Sequence, residues 1–218
     1  FETGKPWSEA DGDVAEAIDF CDYYAREALK LAEPVRVSYV TGESSLMHYK
    51  PRGVSLVIAP WNFPLAILCG MAAGSIVTGN TCVVKPAEQS SIIAYEMMKL
   101  LFEAGCPVGV AQFVPGYGET VGRHLVHHKD VALISFTGSK AVGLEIVKAA
   151  AEVQMGQHFV KKCIIEMGGK NAVIVDSDAD LDEAVVGILY SAFGFSGQKC
   201  SAASRVVVLE ENYDRFIT

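Results

Sequence analysis

Hydrophobic positions follow two rhythms along this chain. Val14, Ala17, Ile18, Cys21, Tyr24, Ala25, Ala28 and Leu29 recur at helical spacing, and Pro34 closes the run, so an amphipathic helix is expected from Glu9 to Leu31. Ser8 with Asp11 resembles a capping box at its start. Val35, Val37 and Tyr39 are spaced by two and the segment turns near Gly42, which predicts an exposed antiparallel hairpin over Val35–Tyr49.

From Gly53 onward, short continuous apolar runs alternate with helical stretches. Strands are expected at Val54–Ala59, Thr81–Lys85, Ala111–Pro115, Ala132–Phe136, Cys163–Glu166, Ala172–Val175 and Arg205–Leu209. Helices are expected at Leu65–Val77, Ser91–Ala104, Glu119–His127, Lys140–Glu152 and Leu181–Phe193. Strands that are apolar throughout are buried on both faces, so the class is α/β with a parallel sheet. Three parts follow: residues 1–52 as helix and hairpin, 53–180 as the sheet domain, and 181–218 as the start of another domain.

Ligands gather at the carboxyl ends of strands in such a sheet. Pro60-Trp61-Asn62, Lys85-Pro86, Gly116-Tyr117-Gly118 and Thr137-Gly138-Ser139 all follow strands. Gly116, Gly118 and Gly122 open a helix, yet their spacing is one residue longer than the usual dinucleotide fingerprint. They suit either a nucleotide or a tight turn that needs glycine backbone freedom. Ser139 could form an anion site, but an isolated Ser there is more often an ordinary N-cap. Lys85 and Glu88 are placed to hold ribose hydroxyls, or form a solvated surface pair.

Composition narrows the partners. The 218 residues carry a formal charge of −8, which argues against nucleic acid and suits a small diffusible ligand. The longest apolar stretch, Leu65–Val77, is interrupted by Gly70 and Gly74 and is too short to span a bilayer. Phe1–Asp13 is polar and acidic, unlike a signal peptide. The chain lacks an initial Met and stops in a polar stretch after a strand, so a fragment is expected. Six cysteines, at 21, 69, 82, 106, 163 and 200, include no CxxC pair; a reducing, cytoplasmic compartment without a disulfide framework is the expectation. Cys200 lies in a polar, glycine-containing loop, whereas the other five read as buried, so its thiolate can form and reach a substrate; a lone cysteine taken by itself is more often structural than catalytic. Glu166 ends a strand before Gly168-Gly169-Lys170 and could serve as a base. His124, His127 and His128 share one helical face, but the HExxH pattern is absent and no metal is expected.

Taken in order, Pro60-Trp61-Asn62-Phe63-Pro64, Lys85-Pro86-Ala87-Glu88, Phe136-Thr137-Gly138-Ser139, Glu166-Met167-Gly168-Gly169-Lys170 and Gly197-Gln198-Lys199-Cys200 resemble the motifs of NAD(P)-dependent aldehyde dehydrogenases. Met167 stands where Leu is commonest there, a volume-conserving difference. Glu2-Thr3-Gly4-Lys5-Pro6-Trp7 and Phe195 to Ala202 look most like the Δ1-pyrroline-5-carboxylate (glutamate-γ-semialdehyde) branch, bacterial forms of which are often fused to proline dehydrogenase. The resemblance implies a Rossmann-like NAD-binding sheet with helices on both faces. It implies Cys200 as nucleophile, Asn62 as oxyanion donor and Glu166 as general base. NAD would be held by Lys85, Glu88 and Ser139, with further contacts from Ile58, Pro60, Trp61, Gly118, Gly122, Thr137 and Gly138; Glu88 favours NAD over NADP. The full-length enzyme would be a homo-oligomer acting on a small aldehyde. Succinate semialdehyde or a broad aldehyde range, transfer to coenzyme A, and a non-catalytic nucleotide-binding module are the alternatives.

Overall fold

The computed structural model describes residues 1–218. They form two compact units, Phe1–Glu166 and Met167–Thr218.

The first unit is built on a five-stranded, all-parallel sheet of β3 (Val54–Ile58), β4 (Thr81–Lys85), β5 (Ala111–Phe113), β6 (Val131–Thr137) and β7 (Lys162–Glu166). Its order is β5-β4-β3-β6-β7, so the chain leaves β3 in one direction and later returns to its other side. Side chains alternate across the pleat. Val57, Cys82 and Val84 therefore pack with Leu68, Ala72, Ala94 and Met98 of α2 (Ala66–Val77) and α3 (Ser91–Glu103). Leu56, Ile134 and Phe136 pack instead with Val126 of α4 (Arg123–His127) and with Ile146 and Ala149 of α5 (Lys140–Ala151). Helices cover both faces, as the continuous apolar strands required.

Helix α1 (Trp7–Ala32) lies on α2, where Gly70 and Gly74 admit the rings of Phe20 and Tyr24. A Cβ at Gly70 would come within 2.9 Å of Phe20. Helix α2 is apolar all round because the sheet covers one side and α1 the other. Neither α2 nor α3 has a side-chain cap of its own. Carboxylates from the first turns of the chain supply both: Asp13 accepts from Leu65 and Ala66 N–H, and Glu2 from Ile92 and Ile93 N–H. An anion at the positive end of a helix is favourable, and here it also docks the N-terminal segment. The expected Ser8–Asp11 capping box does not form. Pro6, with its φ already fixed, starts the helix at Trp7, which leaves Ser8 inside the first turn.

β1 (Val35–Ser38) and β2 (Ser45–Met47) form the expected antiparallel hairpin. In the second unit, β8 (Asn171–Val175), α6 (Leu181–Phe193) and β9 (Ala203–Val208) make a parallel β-α-β element as a separate two-stranded sheet. Asp180 caps α6 by accepting from Asp182 and Glu183 N–H. The polar stretch after β9 is helical, α7 (Glu210–Ile217), where no helix was expected. No helix is long and apolar enough to cross a membrane.

Asn80 fixes the sheet's entry. Its buried amide accepts from Arg52 and Gly53 N–H at 2.7 and 3.1 Å, and donates to Ser75 O and Thr78 Oγ1. Asn80→Ala strands several of these groups without partners and is expected to cost about 2 kcal/mol or more. Urea unfolding of the full-length protein measures it; a midpoint equal to wild type would contradict this role.

Candidate functional site

Because β3 runs in register between its neighbours, Ile58 pairs with both Lys85 and Phe136, and Thr137 pairs with Glu166. The loops after β3, β4 and β6 therefore start at the same level of the sheet, on either side of the point where the strand order reverses.

Lys85 ends β4 almost wholly buried. Its Nζ donates to Pro86 O at 3.0 Å and lies 3.4 Å from Glu88 Oε1, and the same oxygen accepts from Gly118 N–H at 2.6 Å. Burial pushes the Glu88 carboxyl up. Its own backbone N–H, the Lys85 charge and the Gly118 N–H outweigh burial and hold it below its ordinary value of 4.5. The sequence posed a choice between ribose ligand and solvated pair; the pair is partly buried and ties β4 to the Gly118 turn.

The long glycine spacing has a geometric cause. Gly118–Gly122 form one wide π turn ahead of α4, which adds a residue to the loop. Gly116, at φ +152°, lies so close beneath Val121 that a Cβ would come within 2.5 Å of its methyl. Gly122 faces the Lys85 stem, where an added Cβ would make ordinary contact at 3.5 Å. Beside them lies a groove of about 220 Å³, lined by Ile58, Lys85, Gly122, Val126, Val142 and Ile146 among others. Ser139 caps α5, the helix whose Val142 and Ile146 line that groove, its Oγ accepting from Val142 N–H at 3.3 Å. Gly138 N–H donates to Glu166 O and packs under the Phe136 ring, where a Cβ would approach to 2.6 Å. Thr137 Oγ1 contacts Met71 Sδ at 3.8 Å.

Pro60, Trp61 and Asn62 are half-buried after β3. Asn62 is gripped through its backbone: Lys5 Nζ donates to Asn62 O at 3.0 Å and sits 3.9 Å from the Phe63 ring centre. Lys5 was not a sequence candidate, nor was Asp13, 3.8 Å away. Only their motif context and the capping preference of a carboxylate could have signalled them.

Within the second unit, Cys200 is exposed on the loop between α6 and β9. Phe195, Ser196 and Gly197 precede it in left-handed conformation, at φ 50°, 57° and 70°. Two non-glycine residues there store strain, and such strain concentrates at functional sites. Asn171 Nδ2 donates to Cys200 O at 2.7 Å and to Ala202 O at 3.2 Å, and Gly169 lies so close that a Cβ would meet Cys200 O at 2.7 Å. Lys199 places its ammonium 4.8 Å from the Tyr190 ring centre. The expectation that all other cysteines are buried needs correction: Cys82 is buried, Cys69, Cys106 and Cys163 are partly buried, and Cys21 is exposed although its sulfur lies 3.5 Å from that of Cys69 on α2. Glu166 is exposed at the end of β7. On α4, His127 Nδ1 lies 2.8 Å from Arg123 O, and His124 stacks edge-on with His128.

The parallel α/β architecture agrees with what comparison with known proteins finds. A profile of the Aldehyde dehydrogenase family matches residues 1–218, and the chain belongs to that family. It is 52% identical to a 1-pyrroline-5-carboxylate dehydrogenase of Bacillus subtilis and to one of Anoxybacillus flavithermus, in each case over 99% of this chain and 42% of the relative. The chain thus spans less than half the length of the curated relatives it matches. Among solved structures, it is 48% identical to a 1-pyrroline-5-carboxylate dehydrogenase from Thermus with bound NAD, with a TM-score of 0.95 over 100% of this chain and 42% of that one. It is 65% identical to a proline utilization A protein from Bdellovibrio bacteriovorus, again with a TM-score of 0.95, over 100% of this chain and 23% of the other.

The lowered Glu88 pKa sets a pH window. Its stabilising contacts are fully present above the unfolded value of 4.5 and are lost as pH falls through the lower folded value. The stability difference between wild type and Glu88→Gln should therefore be constant above pH 4.5 and shrink below it. Chemical denaturation from pH 7 to 3 checks this; a difference that grows on acidification would contradict it.

Proposed function

We propose that this chain is the NAD-binding part, with the nucleophile loop, of an enzyme that oxidises glutamate-γ-semialdehyde (Δ1-pyrroline-5-carboxylate) to glutamate. The observation that carries the reading is Lys85, Glu88 and Gly118 joined beside an apolar groove at the reversal point of the sheet. Identity near 50% to relatives named 1-pyrroline-5-carboxylate dehydrogenase supports the substrate.

The residues present fit a dinucleotide. The groove walls of Val126, Val142, Ile146 and Ala149 suit a flat ring, and Lys85 and Glu88 suit the hydroxyls of a ribose beside it. N–H groups at the start of α5, with Ser139, suit a phosphate. NAD, when bound, supplies the acceptor for the hydride that leaves the substrate. Ile58, Pro60, Trp61, Thr137 and Gly138 complete the proposed cofactor contacts.

Cys200, as thiolate, adds to the aldehyde carbonyl to give a thiohemiacetal oxyanion. The Asn62 amide donates to that oxygen and stabilises charge as it develops. Loss of hydride leaves a thioester on Cys200. Glu166 takes a proton from water, which attacks the thioester and releases the acid and the thiol. A base for water favours hydrolysis over transfer to coenzyme A.

The proposal extends to the whole protein. Similarity to a proline utilization A protein supports fusion to a proline dehydrogenase domain. Exposed apolar residues of the hairpin, among them Val35, Val37 and Leu46, support homo-oligomerisation. Free thiols at Cys21 and Cys69, with sulfurs 3.5 Å apart, support a reducing, cytoplasmic setting.

NADH formation by the full-length protein across a panel of glutamate semialdehyde, succinate semialdehyde and simple aliphatic aldehydes tests the substrate. The highest kcat/KM is expected with glutamate semialdehyde; equal rates across the panel would overturn the narrow assignment. Glu88 should repel a 2′-phosphate, so NAD is expected to exceed NADP in kcat/KM by about tenfold or more. Glu88→Gln should narrow that ratio, and an unchanged ratio would remove Glu88 as its cause.

A further inference from the structure

We propose that Lys5 and Asp13 form a buried electrostatic clamp that aims the Asn62 side chain, making them positioning residues for the oxyanion donor. The proposal rests on the reading of Asn62 given above.

The two side chains are 4% and 5% exposed and their charged atoms are 3.8 Å apart. Burying an ion pair costs desolvation, which is offset only when further hydrogen bonds satisfy the charged groups. Here those further bonds fall on one short segment. Lys5 Nζ takes the Asn62 carbonyl at 3.0 Å and lies against the Phe63 ring. Asp13 takes Leu65 N–H at 3.3 Å and Ala66 N–H at 3.1 Å. The clamp thus holds both ends of residues 62–66, and between them Pro64 restricts its own φ.

Fixing the carbonyl of residue 62 fixes the plane of the peptide that follows Asn62. Fixing the amides of residues 65 and 66 fixes where α2 begins. Together they set the direction in which the Asn62 Cα–Cβ bond leaves the backbone. An apolar pair could fill the same volume, but it could not bond a carbonyl at one end and two amides at the other. An oxyanion donor is effective only when held where the charge will develop, and a displacement near 1 Å is costly. A lysine and an aspartate from the start of the chain supply that constraint from outside the loop itself.

The test is a double-mutant cycle in the full-length enzyme, with whichever aldehyde the panel selects. Lys5→Met keeps the stem and removes the charge; Asp13→Asn keeps one acceptor and removes the charge. Each is compared with Asn62→Ala in kcat, KM, NAD affinity and thermal unfolding. Lys5→Met is expected to lower kcat on the order of 10²-fold, with NAD affinity unchanged. Added to Asn62→Ala, it should lower kcat no further, because the group it aims is already gone. Asp13→Asn should show the same lack of additivity with a smaller single effect, and it carries the comparison if Lys5→Met fails to fold. Fully additive losses, or a parallel loss of NAD affinity, would assign the pair to general packing of α1 and overturn the proposal. Asn62→Ala with wild-type kcat would overturn the oxyanion reading itself, and is distinguishable because it requires no change at Lys5 or Asp13.

Discussion

The parallel register of β3 between β4 and β6 is the constraint on which the candidate cofactor site depends. With Ile58 level with both Lys85 and Phe136, three strands deliver their carboxyl ends to one edge, and the chain leaves that edge in opposite directions. Each loop then carries a different chemistry: the Asn62 amide after β3, the Lys85–Glu88 pair after β4, and the Ser139 helix start after β6. A register slip of one residue would turn Lys85 to the other face of the sheet and bury a charge against apolar helices. Two apolar clusters, one on each face, prevent that slip.

Polar side chains then decide the details that apolar burial alone leaves free. Glu88 joins β4 to the Gly118 turn, Asn80 joins the entry of β3 to the end of α2, and Glu2 and Asp13 cap helices formed by residues far along the chain. For the buried Asp13 and Asn80, leaving a partner unpaired would cost the full desolvation penalty, more than the net contribution of each bond. Precision at the loops is thus obtained from a few side chains, while the sheet and helices are stabilised by burial.

Much of the architecture was legible because periodicity reports burial. Apolar runs at 54–58 and 81–85 read as strands buried on both faces, and the helix expected over Leu181–Phe193 is α6. What escaped was set by single residues or by distance. Pro6 shifted the start of α1 past the apparent capping box. Helix α7 is short and polar, so its pattern resembled a loop. The pairing of β8 with β9 in their own sheet depends on partners that an apolar pattern does not specify. Motifs identified Lys85, Glu88, Ser139 and Cys200, yet Lys5 and Asp13 act on residues more than 50 positions away, where no local pattern reports the contact. The left-handed run at Phe195 and Ser196 was equally silent, because neither residue type favours that conformation.

The central claim is that this thiol performs an oxidation that requires NAD, and trapping the acyl group tests it most directly. Full-length Glu166→Gln protein is incubated with aldehyde, with and without NAD, then denatured, digested and examined by mass spectrometry. The account expects the acyl mass on the Cys200 peptide, formed only when NAD is present, because a thioester requires hydride loss while a thiohemiacetal reverts on denaturation. An acyl group on another cysteine, one formed equally without NAD, or none while turnover continues would contradict it.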